Sequence, residues 1–162
     1  VVVTDEEGKR MTRIDISRTS KLGYAAVTGL EAYSRTHVDK HLYELIKLRA
    51  SLLNGCGFCV DMHATDGAKI GIPQRKLHAV GAWQHSRSLF DERERAVLAL
   101  TDAVTQLGPT TVTDEIWDAV AAHFDDGELG DLILAICTIN VWNRIAIATE
   151  MEPPVDGEHP VV

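Results

Sequence analysis

The segment that most constrains the fold runs over 38–53. Leu42, Leu45, Ile46, Leu48, Leu52 and Leu53 recur there at helical spacing. At about 100° per residue they share one broad apolar face. Asn54-Gly55 supplies a stop, and a second helix is predicted over 56–70, ended by Gly71 with Pro73 behind it. A reversal at Gly55 lays these two helices antiparallel. Similar signals continue downstream. A short helix is expected over 74–84, and Asp91 with Glu94 forms a capping box. Behind it Val97, Leu100, Val104 and Leu107 keep helical spacing up to Gly108-Pro109. Thr113 caps a helix striped with Ile116, Val120 and Phe124. The last helix, over 129–149, holds the run Leu132-Ile-Leu-Ala-Ile-Cys137 and is apolar nearly all round, so it is expected to be the central, most buried one. No strand-like alternation competes, and no repeat of fixed period is present. The expectation is an all-α fold in a single domain over 1–162, with an extended arm over 1–20 and a loose tail over 153–162.

Composition narrows the function classes. The chain has 162 residues, 45% of them hydrophobic and 25% charged, and a formal net charge of −8. An acidic balance argues against nucleic-acid and anionic-membrane partners, which need a concentrated basic surface. No apolar run of about 18 residues stands out, so no membrane span is expected. The first twenty residues lack the basic and apolar regions of a secretory signal, which makes a cytoplasmic address the expectation. Three cysteines, Cys56, Cys59 and Cys137, are too few for a disulfide scaffold. In a reducing compartment a close pair reads as catalytic or metal-binding.

The chemistry concentrates in Cys56-Gly-Phe-Cys59-Val-Asp-Met-His63. Cysteines three apart on a helix share a face and are close enough for a disulfide. Taking Cys56 as the origin of the wheel, Cys59 lies at about −60° and His63 at about −20°. The imidazole therefore reaches the Cys59 sulfur directly or through a water, while Asp61 and Lys69 point away. The pair occupies the first turn of its helix, where unpaired N–H groups and the positive dipole end favour a thiolate. Across the reversal, Glu44 lies about ten residues before the turn and His63 about nine after it, a difference of a few ångströms at about 1.5 Å rise per residue. Glu44 sits at the edge of its apolar face and looks into the helix interface. Carboxylate, imidazole and thiol in sequence form a proton relay.

Glu44 followed by Cys56-x-x-Cys59-x-x-x-His63, within Asn54-Gly-Cys-Gly-Phe-Cys-Val-Asp-Met-His63, resembles the core motif of the alkylhydroperoxidase AhpD branch of the carboxymuconolactone decarboxylase family. The close likeness covers roughly 42–105, with a looser one through the last helix. It implies an all-α fold, a homo-oligomer built on trimers, and reduction of a hydroperoxide substrate through a cysteine disulfide that an external dithiol or redox-protein reductant restores. It further implies that Cys59 is the peroxide-reactive thiol, Cys56 its resolving partner, and Glu44 and His63 the relay. One departure is visible: better-studied members carry a histidine just before the second cysteine, where this chain has Phe58.

The competing readings are a disulfide reductase or adaptor that regenerates another peroxidase, a non-catalytic helical module that senses oxidation or holds zinc, and a lactone decarboxylase relative. Zinc would take Cys56, Cys59 and His63 with Glu44 or His78. The redox reading itself needs no metal, flavin or nicotinamide cofactor, and no Gly-rich nucleotide loop is present. Cys137 reads as a small core residue, and Trp83 and Trp142 as packing or interface residues. Asn140, Asn143 and Arg144 interrupt an otherwise buried helix and are expected to cap or bridge neighbours. His37, His41, His78, His85, His123 and His159 form no metal-binding pattern.

Overall fold

The computed structural model describes residues 3–4, 10–108 and 111–154. Its architecture is all-α, preceded by one small hairpin in which β1 (Val3–Thr4) pairs antiparallel with β2 (Arg10–Thr12). Eight α-helices follow among the described residues: α1 (Ile16–Thr19), α2 (Lys21–His37), α3 (Lys40–Asn54), α4 (Gly57–Lys69), α5 (Gln74–Ala79), α6 (Glu92–Thr105), α7 (Asp114–Ala121) and α8 (Asp126–Thr149). Two 3₁₀ turns, Val80–His85 and Arg87–Leu89, bridge α5 and α6. The segment expected as an extended arm thus carries a helical turn at α1. The tail expected to be loose lies outside the described residues from 155 onward.

The helix ends follow their local chemistry. The Asp39 carboxylate accepts the His41 and Leu42 N–H groups, so α3 starts two residues later than its apolar spacing alone suggests. Gly55 ends it in the left-handed region at φ 70°, where a side chain would be strained. Gly71 closes the turn after α4 at φ 93°. Asp91 with Glu94 completes the expected capping box of α6. Asp125 with Glu128 forms a second box, which starts α8 three residues before the expected 129.

Helix α3 lies in the middle, packed against α2, α4, α6 and α8. Ile46, Val97, Leu100, Ile136 and Ile139 are fully buried in the main core, where α3, α6 and α8 meet. A second core of Leu45, Leu77, Val80 and Leu98 joins α3 to α5 and α6. A third, small cluster contains Cys56, Phe58, Cys59 and Ala146, with Met62 and Met151 packed on it.

Two expectations about α8 need correction. It is long and apolar enough to cross a membrane by length and composition, with a mean hydropathy of 1.6 in its most apolar 18-residue window, 44% of which is buried. Its contacts with α2, α3 and α6 make it a core helix of this fold. It is central but not wholly enclosed: Leu134, Val141 and Ile147 face outward, and Cys137 is exposed rather than in the core. An apolar run on a helix points in every direction, and neighbours cover only part of its circumference.

The polar residues of α8 build one side of the site. Asn143, fully buried, donates to Ser51 Oγ at 3.0 Å and accepts from Asn54 Nδ2 at 2.9 Å. Asn54 also donates to Asn140 Oδ1 at 3.0 Å, and Asn140 donates to Thr105 Oγ1 at 3.0 Å. The last turn of α3 is therefore bonded to α8 immediately before Gly55 and Cys56. Substituting Asn143 by Ala leaves Ser51 and Asn54 without their buried partner. It should lower unfolding stability by about 1–3 kcal/mol, read as a lower denaturant midpoint with an unchanged slope.

Candidate active site

Cys56 is the N-cap of α4: its backbone is extended, and its Sγ accepts the Cys59 N–H at 3.4 Å. One turn brings Cys59 back over Cys56, and the two are joined as a disulfide with Cα atoms 5.4 Å apart. Both are only 2% exposed. His63, one further turn along α4, is 3% exposed. The reversal at Gly55 sets α4 against α3 so that His63 Nδ1 lies 3.0 Å from Glu44 Oε2. The four residues singled out from the sequence therefore converge on one locality. His63 Nε2 is buried and makes no hydrogen bond among the described residues, to Cys59 or to anything else.

Burial governs the electrostatics here. It raises the Glu44 pKa to about 7, with the Lys47 charge pulling down and Asp66 and Glu31 pushing up. Burial, aided by Lys47, also holds the His63 pKa well below its ordinary value. The imidazole is therefore favoured in its neutral form, and the Glu44 contact fixes the orientation of its ring. With Glu44 ionised, the favoured tautomer carries its proton on Nδ1, donated to Glu44, and leaves the Nε2 lone pair to accept a proton.

A second buried cluster adjoins this pair, and the sequence reading missed it. Glu31 of α2 is 2% exposed and Lys47 of α3 is 3% exposed; their ion pair is direct. Tyr43 donates to Glu31 Oε1, Trp142 Nε1 donates to Oε2 at 3.1 Å, and Arg35 lies 3.4 Å from Oε1. Burial pushes the Glu31 pKa up, but the Lys47 charge and the bonds from Lys47 and Tyr43 outweigh it, and the net direction is down. Lys47 sits three residues after Glu44, between Ile46 and Leu48, and nothing in the local pattern of α3 marks it as different from a surface lysine. Only the packing of α2 and α8 over it reveals a buried cation.

These groups line a cavity of about 810 Å³. Glu31, Tyr43, Glu44, Lys47 and His63 form a polar floor, with Cys59 beside it. Tyr24, Phe58, Met62, Trp142 and Ile145 supply apolar wall. Tyr24 and Trp142 meet edge to face with ring centroids 5.3 Å apart. Among the described residues, those grouped closely enough to share a cation are Glu44, His63 and Asp66, with one ligand atom each within 4.8 Å of the others. That set differs from the one weighed from sequence, since neither cysteine nor His78 belongs to it. The dithiol, the neutral base and the carboxyl together can take up and return a proton beside a sulfur that exchanges electron pairs.

Residues 22–103 match the carboxymuconolactone decarboxylase family. Among curated proteins, the chain is 34% identical to YdfG of Bacillus subtilis (strain 168) over 137 residues, covering 84% of this chain and 92% of that one. It is 32% identical to YnjA of Escherichia coli (strain K12) over 123 residues, covering 76% of this chain and 65% of that one. Among solved structures, a protein of unknown function from Agrobacterium tumefaciens, described as a candidate antioxidant defence protein AhpD, superposes with a TM-score of 0.83 at 37% identity, over 93% of this chain and 99% of that one. The debrominase Bmp8 shares the fold at a TM-score of 0.76 and 21% identity, over 88% of this chain and 76% of that one. Family match, identity and shared fold agree: this chain belongs to the carboxymuconolactone decarboxylase family, as an AhpD-like member.

Proposed function

We propose that the chain is a thiol-dependent peroxidase of the alkylhydroperoxidase kind. The observation that carries this reading is the Glu44–His63 pair, which shares one cavity with Cys59 of the Cys56–Cys59 disulfide. In the reduced enzyme, His63 Nε2 accepts the Cys59 proton. The Cys59 thiolate attacks the terminal oxygen of a hydroperoxide, the O–O bond breaks, and the relay returns the proton to the departing alkoxide. Cys59 is left as a sulfenic acid. Cys56 attacks that sulfur, water leaves, and the disulfide forms; an external dithiol then restores both thiols. Cys56 is suited to resolve because its sulfur already accepts the Cys59 N–H, a contact that favours a thiolate. Phe58 stands where better-studied relatives carry a histidine. It is buried against the disulfide cluster, so the relay here rests on His63 and Glu44 alone.

No metal or organic cofactor enters this scheme. Its reduced state suits a cytoplasmic setting, where thiol reductants are abundant. Leu134 and Val141, two turns apart on one outward face of α8, support a homo-oligomer, and the family likeness favours one built on trimers. A second reading keeps the same dithiol and changes the electrophile. The Tyr24 and Trp142 rings favour an organic, ring-bearing acceptor, and debromination, the activity named for Bmp8, fits that chemistry. Rapid-mixing thiol oxidation with alkyl hydroperoxides and with halogenated aromatics separates the two. Consumption of the halogenated compound alone would overturn the peroxidase reading.

The cysteine roles make a direct prediction. Cys59→Ser abolishes hydroperoxide reduction. Cys56→Ser permits one oxidation, stops turnover and leaves a sulfenic acid at Cys59, which trapping followed by mass spectrometry detects. Loss of the first oxidation in Cys56→Ser instead would reverse the assignment.

The relay predicts a pH dependence of known sign. Because the Glu44 pKa stands at about 7, thiol oxidation accelerates as pH rises through that value and ionises the carboxyl. Glu44→Gln removes this limb. At neutral pH, Glu44→Gln and His63→Gln should each slow oxidation by at least roughly tenfold. The double variant should be little worse than the poorer single one, since both serve one relay. Near-wild-type rates in both single variants, with helical content intact, would reduce the two residues to structural ones.

A further inference from the structure

The two sulfurs of the disulfide face different spaces. Cys59, but not Cys56, lines the cavity of about 810 Å³ that holds Glu44 and His63. Cys56, but not Cys59, lines a second, more open cavity of about 660 Å³, bounded by Gly55, Gly57, Ile147 and Glu150. Ala146, Met151 and Glu152 border both spaces, and the first two pack with the disulfide at the boundary between them. A Cβ at Gly55 or at Gly57 would meet nothing within 4 Å, so the backbone on either side of Cys56 is open.

The geometry points to separate entrances for the two half-reactions: the oxidising substrate reaches Cys59 through the first cavity, and a small dithiol reductant reaches Cys56 through the second. This inference rests on the redox reading given under Proposed function. Thiol–disulfide exchange is a displacement in line with the breaking bond, so a thiolate attacking Cys56 must arrive from the side opposite Cys59. The second cavity lies against Cys56 and leaves Cys59 out. A thiolate of the reductant attacks Cys56 Sγ, a new S–S bond forms, and the Cys56–Cys59 bond breaks. Cys59 departs as a thiolate on the side of the first cavity, where His63 also lies, and is protonated there. The second thiol of the reductant then attacks its own sulfur in the mixed disulfide and releases Cys56, whose thiolate accepts the Cys59 N–H. In sum, one protein disulfide and one dithiol give one protein dithiol and one oxidised reductant. A slender dithiol fits better than a flat protein surface, because Cys56 lines the cavity while being only 2% exposed.

The arrangement has a functional consequence. Substrate bound over the polar floor does not obstruct the reductant, and the reductant need not cross the aromatic walls. The relay adjoins Cys59 from one side: His63 accepts the proton when Cys59 attacks, and the proton that Cys59 takes up on departure is the one the reductant's first thiol released to solvent.

The test measures the half-reactions separately by stopped flow. Reduced protein is mixed with tert-butyl hydroperoxide, and oxidised protein with dithiothreitol. Gly57→Trp and Ile147→Trp place bulk in the second cavity from two different helices, and Met62→Trp places it in the first. Both second-cavity variants are expected to slow reduction by dithiothreitol by roughly tenfold or more while oxidation stays within about twofold of wild type, since small displacements of reacting atoms cost large factors in rate. Met62→Trp is expected to do the reverse. Wild-type reduction rates in folded Gly57→Trp and Ile147→Trp, or equal slowing of both half-reactions, would overturn separate entrances and leave the peroxidase reading intact. A wild-type protein that hydroperoxide does not oxidise and dithiothreitol does not reduce would overturn the redox reading and this inference with it.

Discussion

The site depends on one reversal of the chain. Gly55 turns α3 back on itself as α4, and the Asn54–Asn143–Ser51 hydrogen bonds hold the end of α3 to α8 at that point. With those bonds in place, Cys56 becomes the cap of α4, Cys59 falls one turn on, and His63 comes level with Glu44. A different path at Gly55 would separate carboxylate from imidazole while leaving every residue and nearly every helix unchanged. The buried amides make that costly, because each would lose a partner that water could not replace.

The second constraint is electrostatic. A low-dielectric site that keeps His63 neutral would also tend to protonate every carboxyl around it. The protein answers this with a buried cation. Lys47 lies between Glu31, which it holds ionised, and the Glu44–His63 pair, on which it acts through space. It draws the Glu44 pKa down and disfavours a proton on His63. Burying a charged pair is seldom the cheapest way to stabilise a fold. Because Glu31 and Lys47 line the same cavity as Glu44, His63 and Cys59, the pair is better understood as a feature of that cavity than of the core.

Much of this was legible in the sequence, and the reasons are local. Helical periodicity in α3, the stop at Asn54-Gly55, and the box at Asp91 and Glu94 are decided by residues a few positions apart, and the structure keeps them. The convergence of Glu44 on His63 was readable because both lie on helices joined by one tight turn, so height and face follow from counting residues. The misreadings share a cause. Cys137 and Leu52 look like core residues by composition and are exposed, because a helix face is buried only where a neighbour arrives. Lys47 and Glu31 look like surface charges and are buried for the converse reason. The box at Asp125 and Glu128 was there to be read, but the apolar run beyond it drew the helix start toward Leu129.

By itself, then, the sequence determined the helices from α3 onward, the stops at Gly55 and Gly71, and the spacing that sets a cysteine pair one turn before a histidine, since backbone hydrogen bonding and side-chain periodicity act over one or two turns. The tertiary structure alone decided what stands around that pair. It brought Glu31 from α2 and Trp142 from α8 to the first cavity, left His63 Nε2 buried without a hydrogen-bond partner among the described residues, and set the two sulfurs against two different spaces. These features depend on contacts between residues up to about a hundred positions apart, and no local pattern encodes which faces of two distant helices will meet.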